Sequence, residues 1–164
     1  MLPMIRDLFA HNSWANAEVW KFVAATPASH NDKRVLELLN HIHVVQRFFV
    51  STVQGTPLTR DELQREMDRV ELRASFRQFH ESTDTFLAKM RESHLDDHVN
   101  VPWFPNFQPK VHEALMQATM HSLHHRAQVA TLLRQLGGQT TPIDYIVWAA
   151  LGRPQPSWDE AASA

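Results

Sequence analysis

The sequence has 164 residues, 43% hydrophobic and 21% charged, with a formal net charge of −2, which suits one domain with a buried core. It has no cysteine, which excludes disulfides, thiolate metal sites and a cysteine nucleophile and fits a reducing, cytoplasmic setting. The charge balance lacks the basic run of a nucleic-acid binder, and no apolar run approaches the roughly 20 residues that cross a bilayer.

Four glycines are few for a fold made of tight turns, so helices are favoured at the outset. Residues 3–25 read as a first long helix, with Pro3 in its first turn and Ile5, Leu8, Ala15, Val19, Phe22 and Val23 at helical spacing. Asp7, Asn12 and Asn16 interrupt its apolar face, so it does not read as a signal peptide. Thr26-Pro27 ends it. Residues 31–53 form a second helix with Asn31 or Asp32 as N-cap, a stripe from Val35 through Leu39 and Ile42 to Phe49, and Gly55 and Pro57 beyond its end.

Thr59-x-x-Glu62 is a capping-box signature for a short helix within 59–70, and a third long helix follows over 71–92 with Leu72, Phe76, Phe79 and Leu87 on one side. Residues 93–110 contain three prolines and no helical period, with Val99, Val101 and Phe107 available for a short hairpin. The fourth and longest helix spans 111–136 and stops at Gly137-Gly138. A short helix over 142–151 and a loosely ordered tail, 153–164, complete the chain. The expectation is an all-α four-helix bundle over residues 1–152, with long crossovers allowed at 54–70 and 93–110.

Eleven histidines, spread through the interior of the chain, are the unusual feature. On the fourth helix, His121 and His125 lie four residues apart on one face and within or beside its apolar stripe, while His124 points elsewhere. Two inward imidazoles need satisfaction, by a shared metal ion or by separate hydrogen bonds. A third ligand falls to His41 or His43 on the second helix, which flank its stripe on opposite sides; helix phase does not choose between them. The one bordering the interior is expected to face the fourth helix, the other to be solvated or at a helix contact. His80 reads as structural, His94, Asp96, Asp97 and His98 as solvated loop residues, and His11, His30 and His112 belong to no constellation. A di-iron site is disfavoured: Glu37 precedes His41 by four residues rather than three, and the fourth helix carries only Glu113. Asn12, Asn16 and Gln128 are polar groups able to face a cavity or to bond between helices.

Taken together, Trp14-Ala15-Asn16, Leu38-Leu39-Asn40-His41-Ile42, His121-x-x-His124-His125-Arg126-x-Gln128, Leu132 to Gly137 and Pro142-x-Asp144-Tyr145 resemble the DinB superfamily over nearly the whole chain. The resemblance implies a four-helix bundle, often up-down-down-up and frequently a homodimer. It also implies a metal centre on His41, His121 and His125, so it selects His41 where helix phase did not. It further implies one divalent ion, with zinc or nickel foremost and iron, manganese or copper compatible, and relatives that act as thiol-dependent S-transferases, isomerases or hydrolases. The expected activity is therefore that of a metal-dependent transferase or hydrolase acting on a small molecule, with a low-molecular-weight thiol as candidate partner. The competing expectation is a non-catalytic metal-binding or stress-response bundle whose ion is structural. No catalytic base is identified from the sequence.

Overall fold

The computed structural model describes residues 1–158, and all its regular structure there is helical. The expected tail lies partly outside that range, at 159–164. Four long helices, α1 (Leu2–Ala24), α2 (Lys33–Val53), α4 (Arg69–Lys89) and α5 (Val111–Gln135), are accompanied by two short ones, α3 (Arg60–Gln64) and α6 (Tyr145–Ala150). Side-chain caps set several boundaries. Asp32, rather than Asn31, accepts from the backbone of Arg34 and Val35, and Thr59 with Glu62 forms the expected capping box. Asp68 caps α4 and starts it two residues earlier than the apolar stripe suggests. At the end of α5, Gly137 adopts φ 83°, and a Cβ on Gly138 would collide with the Thr26 side chain behind α1.

The direction of each long helix follows from what meets at its ends. Leu2, Ile5 and Phe9 at the start of α1 pack with Phe48 and Phe49 at the end of α2, Leu87 near the end of α4, and Val111 and Leu115 at the start of α5. At the opposite end, Val19 and Val23 pack with Val35, Leu39, Leu72, Phe76, Val129 and Leu133. Thus α1 and α5 run one way, α2 and α4 the other, in an up-down-down-up bundle. Since α2 and α4 are parallel, the connection over 54–68 must return along the bundle, a span of about 30 Å for a 21-residue helix. The connection over 90–110 joins two ends on the same side and needs no crossover. It holds no hairpin: among the described residues there is only one antiparallel bridge, between His98 and Lys110. Pro102, Pro105 and Pro109 have no N–H with which to extend a ladder.

The two apolar clusters are separated by a polar layer. Arg126 on α5, 2% exposed, donates to Oδ1 of Asn12 and, at 3.1 Å, to Oδ1 of Asn16 on α1. Gln46 on α2 accepts from Asn12 at 2.7 Å and Asn16 at 3.3 Å, and Asn16 also donates to Nε2 of His80 on α4 at 2.9 Å. One layer thus contacts all four long helices. Burial lowers the Arg126 pKa to about 9, which leaves the guanidinium charged at neutral pH, and no carboxylate among the described residues pairs with it. Asn12 and Asn16 are therefore bonds between helices, one of the two roles open to them from sequence.

Beside this layer α1 is covered on its remaining side. His11 donates from Nε2 to the Ile143 carbonyl at 2.9 Å and packs among Trp14, Tyr145 and Trp148, which docks α6. Residues 153–158, expected to be loose, lie on the bundle: the Trp148 indole donates to the Pro154 carbonyl at 3.0 Å, and Trp158 stacks on His80.

Two outcomes follow from the polar layer. Burial lowers the pKa of both His43 and His80 to about 3, from an ordinary 6.5, so each ring stays neutral in the folded chain and takes a proton only on unfolding. Their contribution is complete above about pH 7 and is lost as pH falls from 6.5 toward 3, at a slope approaching about 1.4 kcal/mol per pH unit for each ring. Urea midpoints measured with chelator present should drop between about pH 7 and pH 5; a flat profile would refute the neutral assignment. Replacing Asn16 with alanine strips an acceptor from a buried cation and should cost about 2–4 kcal/mol in urea unfolding, against less than about 0.5 kcal/mol if the layer carried no weight.

Candidate metal centre

Antiparallel packing of α2 against α5 brings three imidazoles to one point. Nε2 of His121 lies 3.1 Å from Nε2 of His41 and 3.1 Å from Nε2 of His125. Ligand atoms from all three lie within 4.8 Å of one another, and among the described residues they are the only such group of three or more. Zinc holds imidazole nitrogen at about 2.0–2.1 Å, so two nitrogens on one tetrahedral ion stand about 3.3 Å apart. The two separations from His121 are close to that. Nitrogen lone pairs at such a distance repel unless a proton or a cation lies between them, so the donor set fits a small cation.

Electrostatics favour the neutral, ligating form. Burial, then the neighbouring His125, His41 and His124, lower the His121 pKa to about 4; burial and His125 lower that of His41. Both rings therefore keep a free lone pair at neutral pH. His125 donates from Nδ1 to Oε1 of Gln128 at 2.7 Å, which leaves its Nε2 unprotonated toward the other two rings. The Gln128 amide in turn reaches Nε2 of His124 at 3.3 Å, on the exposed side. Nδ1 of His121 is buried and has no hydrogen-bond partner.

On α2 the ring that faces α5 is not the interior one, contrary to the expectation that the ring bordering the interior would face the fourth helix. His43 is the interior ring, fully buried, stacked on Phe76 at 4.8 Å and hydrogen-bonded through Nε2 to Ser75 on α4 at 2.7 Å. His41 is exposed, yet faces α5. The reason is that α2 has a neighbour on each flank, so both sides of its stripe are helix contacts. A position at the edge of the bundle is also where an ion can keep an open coordination site.

The other histidines are engaged elsewhere. His94 contacts Arg91, His98 donates to the Gln108 carbonyl, and Asp96 pairs with Lys110, so the loop cluster does not converge on one ion. His30 and His112 bond to carbonyls of Val23 and Leu95, and His80 takes its structural place in the polar layer. Sequence reasoning did not single out Arg126 or Gln46. The signal was present: Ser122, Arg126, Val129 and Leu133 share one helical phase, which puts a guanidinium in the core stripe.

A model of the DinB family matches residues 1–157. The chain belongs to the DinB family. None of the curated proteins compared matches it. The family covers the helices, the triad and the segment that carries α6, so the resemblance carried by the motif around His125 extends over almost the entire described structure.

Gln128 sets the orientation of a ring in the triad, and loss of such an outer hydrogen bond commonly weakens metal binding 10–100-fold. The Gln128→Leu variant should lower zinc affinity by about that factor with an unchanged thermal midpoint. Competition against a chromophoric chelator measures it, and equal affinity would remove Gln128 from the site.

Proposed function

We propose that this DinB-family chain is a metal-dependent enzyme of the thiol S-transferase or hydrolase type, with one divalent ion held by His41, His121 and His125. The observation that carries this reading is the convergence of three imidazoles, with Nε2 of His121 3.1 Å from Nε2 of both His41 and His125 and all three within 4.8 Å, the His41 ring being exposed. Three neutral ligands leave the ion its full charge, and an exposed flank leaves room for a further ligand. When bound, such an ion acts as a Lewis acid that lowers the pKa of a water or thiol. Zinc and nickel are the leading candidates, with iron, manganese and copper also compatible with imidazole donors.

The chain's own residues hold and tune. His41 comes from α2 and the other two rings from α5, so the relative placement of two helices defines the donor triangle. Gln128 fixes the tautomer of His125, and burial keeps His121 from competing for protons at neutral pH. No carboxylate joins the group among the described residues, so the chain supplies no negative ligand to offset the charge of an ion. An anionic partner such as a low-molecular-weight thiolate suits that balance. A small-molecule substrate, a homodimer and a cytoplasmic setting complete the proposal; no role on nucleic acid or membrane is included. No described helix is long and apolar enough to cross a membrane.

Metal analysis tests it directly. Protein purified without a histidine tag and dialysed against zinc or nickel should retain close to one ion per chain by mass spectrometry. The His125→Ala variant should retain less than about a tenth of that while keeping its helical signal, since three ligands fall to two. Retention far below one ion by the unaltered chain would end the metal reading. Retention with a closed coordination sphere, shown by X-ray absorption, would move the ion to a structural role. A screen of small thiols against electrophilic acceptors then separates transferase from hydrolase chemistry.

A further inference from the structure

A large cavity lies away from the triad, and none of the three imidazoles lines it. It occupies about 860 Å³ between the ends of α2 and α4, beneath the connections that follow them. That volume is in the range of small-molecule sites, generally about 300–1,000 Å³. Its walls are apolar and aromatic: Phe48, Leu58, Phe86, Met90, Trp103 and Val111.

The wall that bears Trp103 is built in place. The Val99 N–H donates to the Pro109 carbonyl at 2.9 Å, the Val111 N–H to the Asp97 carbonyl at 2.8 Å, and His98 to the Gln108 carbonyl at 2.7 Å. These bonds tie the two strands of chain at the base of the loop. At its tip the Trp103 ring sits on Phe48 with centroids 4.2 Å apart. Trp103 nevertheless remains 59% exposed, an aromatic surface on the cavity wall that a ligand would cover.

The rim gives the ligand its charge. Lys89, His94 and His98 stand there against a single carboxylate, Asp97. His94 is bonded to Arg91, whereas the Lys89 ammonium has no hydrogen bond or ion pair among the described residues. We infer that this cavity binds a small amphipathic organic anion, with an aromatic or acyl body against Phe48, Phe86 and Trp103 and its anionic group beside Lys89. The site is independent of the metal centre, and its occupancy does not require the triad.

Two fluorescent probes of similar shape test body and head separately: neutral N-phenylnaphthylamine and anionic anilinonaphthalene sulfonate, each titrated into the full chain. Both should bind saturably with one site per chain, and the sulfonate more tightly. Filling the cavity with Phe86→Trp, or removing its wall with Trp103→Ala, should weaken both about tenfold or more. Lys89→Glu, at an exposed position that the fold does not need, should weaken only the sulfonate, by about five- to tenfold. His125→Ala should change neither. Thermal melts of each variant separate a lost site from a loosened bundle, and if the cavity variants melt early, Lys89→Glu alone decides. Absence of saturable binding would overturn the inference, as would unchanged affinity in folded cavity variants, or equal loss of both probes in Lys89→Glu.

Discussion

The guanidinium of Arg126, buried without a carboxylate and held by the amides of Asn12 and Asn16, fixes how α5 is turned about its own axis. Nη1 finds both of its acceptors on α1 while Nε is buried without a partner, so turning α5 away would strip the buried charge of the acceptors it has. With Arg126 directed at α1, the preceding residue His125 lies about 100° around the helix, and His121 one turn earlier shares its side. That side faces α2. Gln46 performs the matching service on α2, because its bonds to α1 leave His41 on the flank nearest α5. The donor triangle is thus a by-product of a layer that touches none of its three rings.

The same layer divides the core. Apolar clusters lie on either side, one at each end of the bundle, and each is made of residues from all four long helices. Apolar packing is indifferent to small rotations and shifts; hydrogen bonds among amides, an imidazole and a guanidinium are not. Register along the bundle is therefore set in the middle, at the level where placing imidazole nitrogens within a few tenths of an ångström matters most.

Much of this was legible in the sequence. The four amphipathic stripes gave the long helices, Thr59 and Glu62 the short one, and the spacing of His121 and His125 a shared face. What phase could not read was the choice between His41 and His43, because a stripe shows which side of α2 is buried but not which neighbours it has. The motif around His125 resolved that choice through family resemblance, and in the structure His41 lies beside His121 and His125 while His43 turns to Ser75. The hairpin expected from Val99, Val101 and Phe107 failed on proline chemistry that was already visible. The docking of Trp158 on His80 was out of reach, since a lone aromatic beyond the last helix has no period. Arg126 entered only as part of the family motif, because a stripe traced through apolar residues passes over a charged one in the same phase.

Residues 11–17 of α1 are buried on every side, and their neighbours come from α2, α4, α5 and the segment around Ile143. The partners of this stretch lie at very different distances along the chain. Gln46 lies 30–34 residues beyond Asn16 and Asn12, but Arg126 lies 110–114 residues beyond them, and the Ile143 carbonyl 132 residues beyond His11. Surrounding one helix with partners so far apart in sequence makes its burial a matter of non-local contacts, the kind that slow the closing of a fold.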